Sequence, residues 1–246
     1  MLVPLLGLVA AASAQSPTSG WGAPKGLDLQ SPLTNCDQAR AAGNAEPICG
    51  WKMFSDVGTV GSLVVGGGAA GAYTLFNPTG GGRYEPAAAW VSGLAVALGA
   101  AQIVKMEAGR PRPYTWNQGY QPSGSSCRSL HGADRDDCWS FFSGHTELTA
   151  FNLFYAASAV DMYSGPARSP VAVGLGYGVA VLGTALVGTA RVEAGQHYWS
   201  DVAVGAVVGA GLGLASPRVT RVIAGRFEEP IEMQVSPVAF RVSGEW

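Results

Sequence analysis

Long runs without a charged side chain restrict the folds open to this sequence. No charge occurs from Val57 to Phe76 or from Pro86 to Val104, and apolar runs resume at about 146–160, 170–190 and 202–215. Runs of this length favour helices over strands. We therefore expect an all-α bundle of about five to six apolar helices. The final stretch, MQVSPVAFRVSGEW, is strand-like and predicts a short C-terminal hairpin.

The same runs fit either membrane spans or the buried helices of a soluble bundle. Segments 57–76, 86–104 and 170–190 are long enough to cross a bilayer, and their small residues would suit close helix packing in lipid. Gly and Ala nevertheless replace much of the expected Leu and Ile, and the run 148–160 is too short to span alone. Only 13% of the residues are charged, against about 25% in an average soluble domain. The composition leans to the membrane and leaves the soluble bundle open.

The amino terminus predicts export from the cytoplasm. The stretch MLVPLLGLVAAASAQ is apolar and ends in the small-x-small pattern Ala12-Ser13-Ala14, which is typical of a signal peptidase site. We interpret residues 1–14 as a signal peptide. The alternative is a first transmembrane helix, but the run is shorter than the ~20 residues that a span needs.

Four cysteines agree with an oxidising compartment. Cys36 lies close to Cys49 in the sequence, and Cys127 lies close to Cys138. Local pairing would close two short loops, although other pairings and four free thiols remain open. No spacing is that of a zinc site, and the net charge of -2 gives no basis for a nucleic acid partner.

The order of segments predicts that the polar clusters meet at one end of the bundle. If successive helices alternate in direction, the ends near residue 105, residue 143 and residues 191–200 share one side, together with the cysteines. That side should be the exported one. The predicted divisions are an exported loop-rich segment at 15–56, a helical domain at 57–216 and a tail at 217–246.

Three cations at these helix ends predict an anion site. Lys105, Arg112 and Arg191 border apolar helices, where unpaired cations are costly. Arginine matches phosphate oxygens with a bidentate fork, and lysine adds a point charge. Ser143 and Gly144 lie where a loop becomes a helix, and the free N–H groups of a helix start bind anions. The pattern predicts a phosphate site.

Two of the three histidines fall in the same clusters. His197 and Asp201 are four residues apart and would share a helix face. Asp201 would accept from one ring nitrogen and leave the other as a nucleophile, while His145 would protonate the leaving oxygen. The remaining polar residues are given no catalytic role: His131 is interpreted as a surface residue, and Glu107, Arg110 and Glu193 as rim ion pairs.

These clusters resemble the signature of type 2 phosphatidic acid phosphatases, whose fold is shared by bacterial class A acid phosphatases and vanadium haloperoxidases. The family pattern is K-x6-RP, PSGH and SR-x5-H-x3-D. The chain has Lys105-x6-Arg112-Pro113, then Phe142-Ser143-Gly144-His145, then Ala190-Arg191-x5-His197-x3-Asp201. The resemblance covers about residues 57–216. Phe142 replaces a proline, and Ala190 replaces a serine whose hydroxyl would donate to phosphate.

The resemblance implies a helical bundle of this family's type, with no metal and no cofactor. It implies that His197 forms a phosphohistidine, that Asp201 orients it, and that His145 is the general acid. It also implies a set of groups that hold the phosphoryl oxygens and stabilise transition-state charge: Lys105, Arg112, Ser143, Gly144 and Arg191.

The leading functional hypothesis is a phosphatase for a lipid phosphate monoester or pyrophosphate. Phosphatidic acid, phosphatidylglycerol phosphate and isoprenyl pyrophosphate are the candidate types, and the site would face the periplasm from a membrane-embedded bundle. A soluble periplasmic acid phosphatase is the main alternative, followed by a vanadate-dependent haloperoxidase and a non-catalytic phosphate-ester binder. The sequence does not indicate an oligomeric state.

Overall fold

The computed structural model describes residues 25–30, 34–43, 47–76, 82, 84–118 and 135–228, and within them every regular element is helical. This confirms the predicted all-α class. The α-helices are α1 (Cys36–Ala41), α2 (Ile48–Phe76), α3 (Glu85–Ala108), α4 (Gly144–Tyr163), α5 (Pro170–Glu193) and α6 (Trp199–Glu228). Among the described residues, four short 3-10 helices accompany them, at Gly26–Gln30, Pro113–Gln118, Arg135–Cys138 and Gly165–Ala167.

Two long helices extend beyond the apolar runs that predicted them. Helix α2 begins at Ile48, inside the segment expected to be loop, and its charged residues Lys52 and Asp56 pair along the helix at 2.9 Å. Helix α6 continues through Pro217 to Glu228, into the segment expected to be tail. The predicted signal peptide and strand-like hairpin lie outside the described residues.

Capping residues fix the helix ends that border the polar clusters. Ser143 caps α4, and its hydroxyl accepts from the Thr146 amide at 3.4 Å. Gly109 ends α3 with a left-handed φ of 54°, which glycine adopts without a steric cost. The chain therefore turns away after Ala108, about one turn beyond Lys105, and Arg110 and Arg112 return towards the bundle.

Helix α4 lies at the centre of the bundle, in contact with α2, α3, α5 and α6. Its contact with α6 is made against three glycines spaced four apart, Gly205, Gly209 and Gly213. A Cβ at Gly205 would lie 2.6 Å from the Ser143 carbonyl oxygen, and one at Gly209 would overlap the Glu147 carbonyl oxygen. The two backbones thus approach as closely as small residues allow. This contact sets the start of α4 against the start of α6.

We expect Gly209→Ala to destabilise the protein by about 1–3 kcal/mol, because the added methyl forces the α4 and α6 backbones apart. Gly178→Ala is the matched control, since nothing lies within 4 Å of its Cβ position. Thermal unfolding of the purified variants measures the difference. Equal midpoints for the two variants would contradict the packing described for α4 and α6.

The outward faces of the long helices are apolar. Val64, Ile103 and Leu182 are each exposed over 60% or more of their surface. Within the part of the chain that the structure describes, four helical segments are long and apolar enough to cross a membrane: Ile48–Phe76, Glu85–Thr115, Pro170–Glu193 and Trp199–Gly225. Helix α4 is not among them, and the surrounding helices cover much of its surface.

One disulfide occurs where the sequence predicted a local pair. Cys36 and Cys49 are bonded, which ties α1 to the first turn of α2. Cys138 is also disulfide-bonded, whereas the prediction for Cys127 lies outside the described residues. Gln38 of α1 donates to the Tyr114 carbonyl oxygen at 3.5 Å. The Cys36–Cys49 pair therefore lies at the bundle end that carries the polar clusters.

Candidate active site

The three polar clusters of the sequence converge at one end of the bundle. The Ser143 amide donates to the Asp201 carbonyl oxygen at 3.1 Å, which joins the start of α4 to the start of α6. Arg112 donates to Gln196, next to His197. A Cβ on Gly144 would lie 3.2 Å from the Lys105 Nζ. Gly144 thus leaves room for the ammonium group at the N-terminus of α4.

His197 is 1% exposed, and its closest polar partner is a main-chain carbonyl. Its Nδ1 lies 2.7 Å from the Ser140 carbonyl oxygen, whereas Asp201 Oδ2 is 3.6 Å away. Because a carbonyl only accepts, Nδ1 carries the proton of a neutral ring and Nε2 keeps its lone pair. The expected direct bond to Asp201 is replaced by an indirect link, in which the Ser140 hydroxyl donates to Asp201 Oδ2 at 2.5 Å.

The surroundings of His197 keep its ring neutral. Burial is the main cause that holds the pKa of His197 well below its usual value, and the positive charges of Arg112, Arg191 and Lys105 act in the same direction. His197 lies between α5 and α6, outside the candidate membrane spans. A neutral imidazole with a free Nε2 is the form that can attack phosphorus.

Arg191 is 3% exposed and retains donors for an anion. Its Nη1 donates to the Ser55 hydroxyl at 3.3 Å and to Asp56 Oδ1 at 3.0 Å. Its buried Nε has no hydrogen-bond partner among the described residues. A buried donor without a partner costs free energy, so an anion that accepted from Nε would be stabilised.

Four of the five N–H donors of the Arg112 guanidinium are engaged. Nε and Nη2 donate to the carbonyl and carboxylate oxygens of Asp136, at 2.7 and 2.6 Å. Nη1 donates to the carbonyl and side-chain oxygens of Gln196, at 3.2 and 2.9 Å. Arg112 therefore fixes the Arg135–Cys138 turn against the connection that carries His197.

His145 and Ser143 occupy the start of α4. His145 Nε2 lies 3.0 Å from Asp56 Oδ1. Burial and the positive charge of Arg191 hold the pKa of His145 below its usual value, with Asp56 acting in the opposite direction. The Ser143 hydroxyl accepts from the Thr146 amide and, at 3.0 Å, from the Thr146 hydroxyl. Its own proton remains available for donation.

Arg110 was missed as a site residue by the sequence interpretation, which placed it at the rim. It is buried, donates from Nη1 to Asp201 Oδ1 and from Nη2 to Asp28 Oδ2 at 2.9 Å, and lies over the Tyr198 ring at 4.1 Å. Asp28 also accepts from the Ser200 amide at 3.0 Å. Arg110 therefore joins the segment before α1 to the start of α6.

Asp56 was also missed. It lies on α2 within the segment expected to be loop, and none of the three motifs includes it. The structure nevertheless places its carboxylate against both Arg191 and His145. The sequence does not mark Asp56 as a site residue, because Arg191 and His145 lie on two other helices.

The two departures from the family pattern are both buried in the bundle. Phe142 is fully buried in an apolar cluster with Val104 and Phe151, so the ring packs the end of α3 against α4. Ala190 is also fully buried.

Glu147, one turn into α4, is a fully buried carboxylate for which neither oxygen has a hydrogen-bond partner among the described residues. Burial raises the pKa of Glu147 to about 8, so at neutral pH the folded protein must take up a proton on a carboxyl group that is ionised in the unfolded chain, and this lowers stability. We expect Glu147→Gln to raise the thermal unfolding midpoint at neutral pH, because the amide needs no proton to stay uncharged. The surface variant Glu107→Gln is the control. A lower midpoint for Glu147→Gln than for the parent would show that the carboxylate stabilises the protein.

Comparison with known proteins identifies the family to which this arrangement belongs. A family model described as the PAP2 superfamily matches residues 87–223, which is more than half of the chain. No curated protein and no solved structure matches the chain. The matched range contains Lys105, Arg112, the Ser143–His145 stretch, Arg191 and the His197–Asp201 stretch, and it leaves out Asp28 and Asp56.

Proposed function

The chain belongs to the PAP2 superfamily, and from that membership we propose that it is a metal-independent phosphatase that acts through a phosphohistidine at His197. Phosphatase-type activity is what membership implies. The observation that carries the finer proposal is the contact of His197 Nδ1 with the Ser140 carbonyl oxygen at 2.7 Å, which leaves Nε2 free; the positive charges of Arg112, Arg191 and Lys105 act on the same ring. A nucleophile surrounded by fixed cations suits the attack on a phosphoryl group, whose oxygens carry negative charge in the transition state.

The chemistry requires two steps that share His145. In the first, His197 Nε2 bonds to phosphorus, the ester P–O bond breaks, and His145 gives its proton to the leaving oxygen. In the second, water attacks phosphorus, His145 takes the proton of the water, and the N–P bond breaks to release phosphate. The negative charge of a bound phosphoryl group opposes the cations that lower the pKa of His145, so substrate favours the protonated acid.

Arg191 and Lys105 are the groups that we assign to the phosphoryl oxygens directly. The unpartnered Nε of Arg191 and the Lys105 ammonium group beside Gly144 would supply donors, together with the Ser143 hydroxyl and the first N–H groups of α4. Arg112 contributes its positive charge and holds the Arg135–Cys138 turn against the connection that carries His197. Asp201 accepts from the Tyr198 amide at 3.0 Å and from the Ser140 hydroxyl. It thereby holds Ser140, whose carbonyl oxygen contacts His197 Nδ1.

The proposed substrate is a lipid phosphate monoester or pyrophosphate. The outward faces of four long helices are apolar enough for a bilayer, and the site lies at one end of these helices. A headgroup would enter there while its hydrocarbon chains remain in the membrane. The Cys36–Cys49 disulfide at the same end favours an oxidising, periplasmic side.

Phosphate release by the purified protein in detergent tests this proposal. We expect release from at least one of phosphatidic acid, phosphatidylglycerol phosphate and an isoprenyl pyrophosphate, at a higher rate than from p-nitrophenyl phosphate. Release from p-nitrophenyl phosphate alone, with the protein in the soluble fraction after salt washing of membranes, would favour the soluble acid phosphatase. Halide oxidation with peroxide and vanadate should stay at background, since a clear rate would favour the haloperoxidase.

A further inference from the structure

A carboxylate from outside the family motifs lies between two groups assigned to the substrate. Asp56 Oδ1 accepts from Arg191 Nη1 at 3.0 Å and lies 3.0 Å from His145 Nε2. The other oxygen, Oδ2, accepts from Lys52 Nζ at 2.9 Å. Asp56 lies on α2, before the residues that the family model matches.

Asp56 occupies atoms of two groups that a substrate would approach, since Arg191 would bind the phosphoryl group and His145 would protonate the leaving oxygen. Arg191 Nη1 has two hydrogens, and they are donated to the Ser55 hydroxyl and to Asp56 Oδ1. His145 Nε2 can take part in a single hydrogen bond, and Asp56 is its partner. A phosphoryl oxygen can therefore reach the same two atoms only if the Asp56 carboxylate moves away. Two anions that share these donors would also repel one another.

The Asp56 side chain has room to move, whereas the buried Arg191 side chain does not. The Asp56 side chain is 39% exposed and that of Lys52 is 44% exposed, while the Arg191 side chain is 4% exposed. Lys52 lies one turn before Asp56 on α2 and can retain the carboxylate when it leaves Arg191. Rotation of one short side chain is sufficient, because the helix itself does not have to shift.

We propose that Asp56 is a further positioning residue of the site, whose carboxylate exchanges places with the phosphoryl group of the substrate and with the phosphate product. It holds Arg191 and His145 in place and competes with phosphate for their donors. This inference rests on the proposed phosphatase function. It predicts that the carboxylate weakens phosphate binding and thereby favours product release.

Binding of inorganic phosphate to the purified full chain tests the exchange, measured by isothermal titration calorimetry. We expect Asp56→Asn to bind phosphate about tenfold more tightly than the parent, since removing one competing charge-assisted contact accounts for about that factor. The inhibition constant of phosphate should fall by the same factor. Asp37→Asn is the control, because that side chain is 88% exposed and lies on α1.

The direction of the change separates this role from a merely structural one. Loss of a structural contact would weaken phosphate binding, so equal or weaker binding by Asp56→Asn would overturn the exchange. If Asp56→Asn does not fold, Asp56→Ala replaces it, and failure of both variants to fold would also overturn the proposal.

The same measurements distinguish this inference from the proposed function. A parent that releases phosphate from lipid, with equal phosphate affinity in parent and Asp56→Asn, would refute only the exchange. A parent without hydrolysis, but with tighter binding by Asp56→Asn, would refute only the phosphatase. If neither protein binds phosphate, the exchange is wrong, whereas the phosphatase proposal is decided by the release of phosphate from lipid.

Discussion

Replacing His197 by alanine is expected to lower kcat for phosphate release by about a thousandfold or more. The substitution removes the nitrogen that would bond to phosphorus, while Lys105, Arg112 and Arg191 remain to bind the substrate. KM should therefore change much less than kcat. Initial rates of phosphate release over a range of substrate concentrations measure both constants for the parent and the variant.

His197→Gln and a binding measurement serve as controls for this variant. Glutamine can still donate to the Ser140 carbonyl oxygen but cannot form the phosphorylated intermediate, so it should be as inactive as alanine. Both variants should bind inorganic phosphate within a few-fold of the parent. Residual activity above about a tenth of the parent value would show that His197 is not the nucleophile.

Replacing Arg110 by alanine is expected to produce the largest loss of stability among the substitutions considered. The change leaves Asp201, which is fully buried, without its guanidinium partner, and it also removes a partner of Asp28. Breaking a buried ion pair costs about 3–5 kcal/mol, or on the order of 10 °C in Tm for a chain of this size. Thermal unfolding in detergent measures the shift.

Arg40→Ala provides the matched control for Arg110. Arg40 pairs with Asp37 at the surface, where its side chain is 66% exposed, so its removal should change stability by less than about 1 kcal/mol. Arg110→Lys should recover only part of the loss, because Arg110 donates to Asp201, to Asp28 and, at 2.7 Å, to the Ser200 hydroxyl, and one ammonium group cannot bridge all three as the fork does. An Arg110→Ala protein as stable as Arg40→Ala would contradict the buried network.

The sequence allowed the helical class and the convergence of the polar clusters to be predicted, because both depend on local signals. Charge-free runs mark the helices, and the alternation of helix direction brings Lys105, His145 and His197 to one end. Cys36 and Cys49 were predicted to pair from proximity alone, and they do. The PAP2 resemblance, carried by three motifs, is confirmed by the family model.

What sequence analysis missed depends on contacts between distant segments. Asp28 and Asp56 precede the motifs, and their partners are known only once the helices pack. The acceptor of the His197 ring is the main-chain oxygen of Ser140, which no side-chain pattern encodes. Arg110 is adjacent to the expected residues, but its burial follows from the turn at Gly109.

The helix limits were missed for a related reason. A break in an apolar run was interpreted as a helix end, yet α2 includes the charged pair Lys52 and Asp56. Helix α6 continues past Pro217 because the arginines that follow find partners on neighbouring helices. Arg218 donates to the Ser158 hydroxyl at 2.9 Å, and Arg221 donates to Glu85 at 3.1 Å.

The most direct test is to trap the phosphorylated enzyme. The protein is mixed with short-chain phosphatidic acid labelled with ³²P, quenched in alkali within milliseconds, digested and analysed by mass spectrometry, because phosphohistidine survives alkali and is lost in acid. We predict one labelled peptide, with the phosphoryl group on His197 and no label in His197→Ala. Label on another residue, or rapid hydrolysis without any labelled peptide, would contradict a site in which His197 attacks phosphorus.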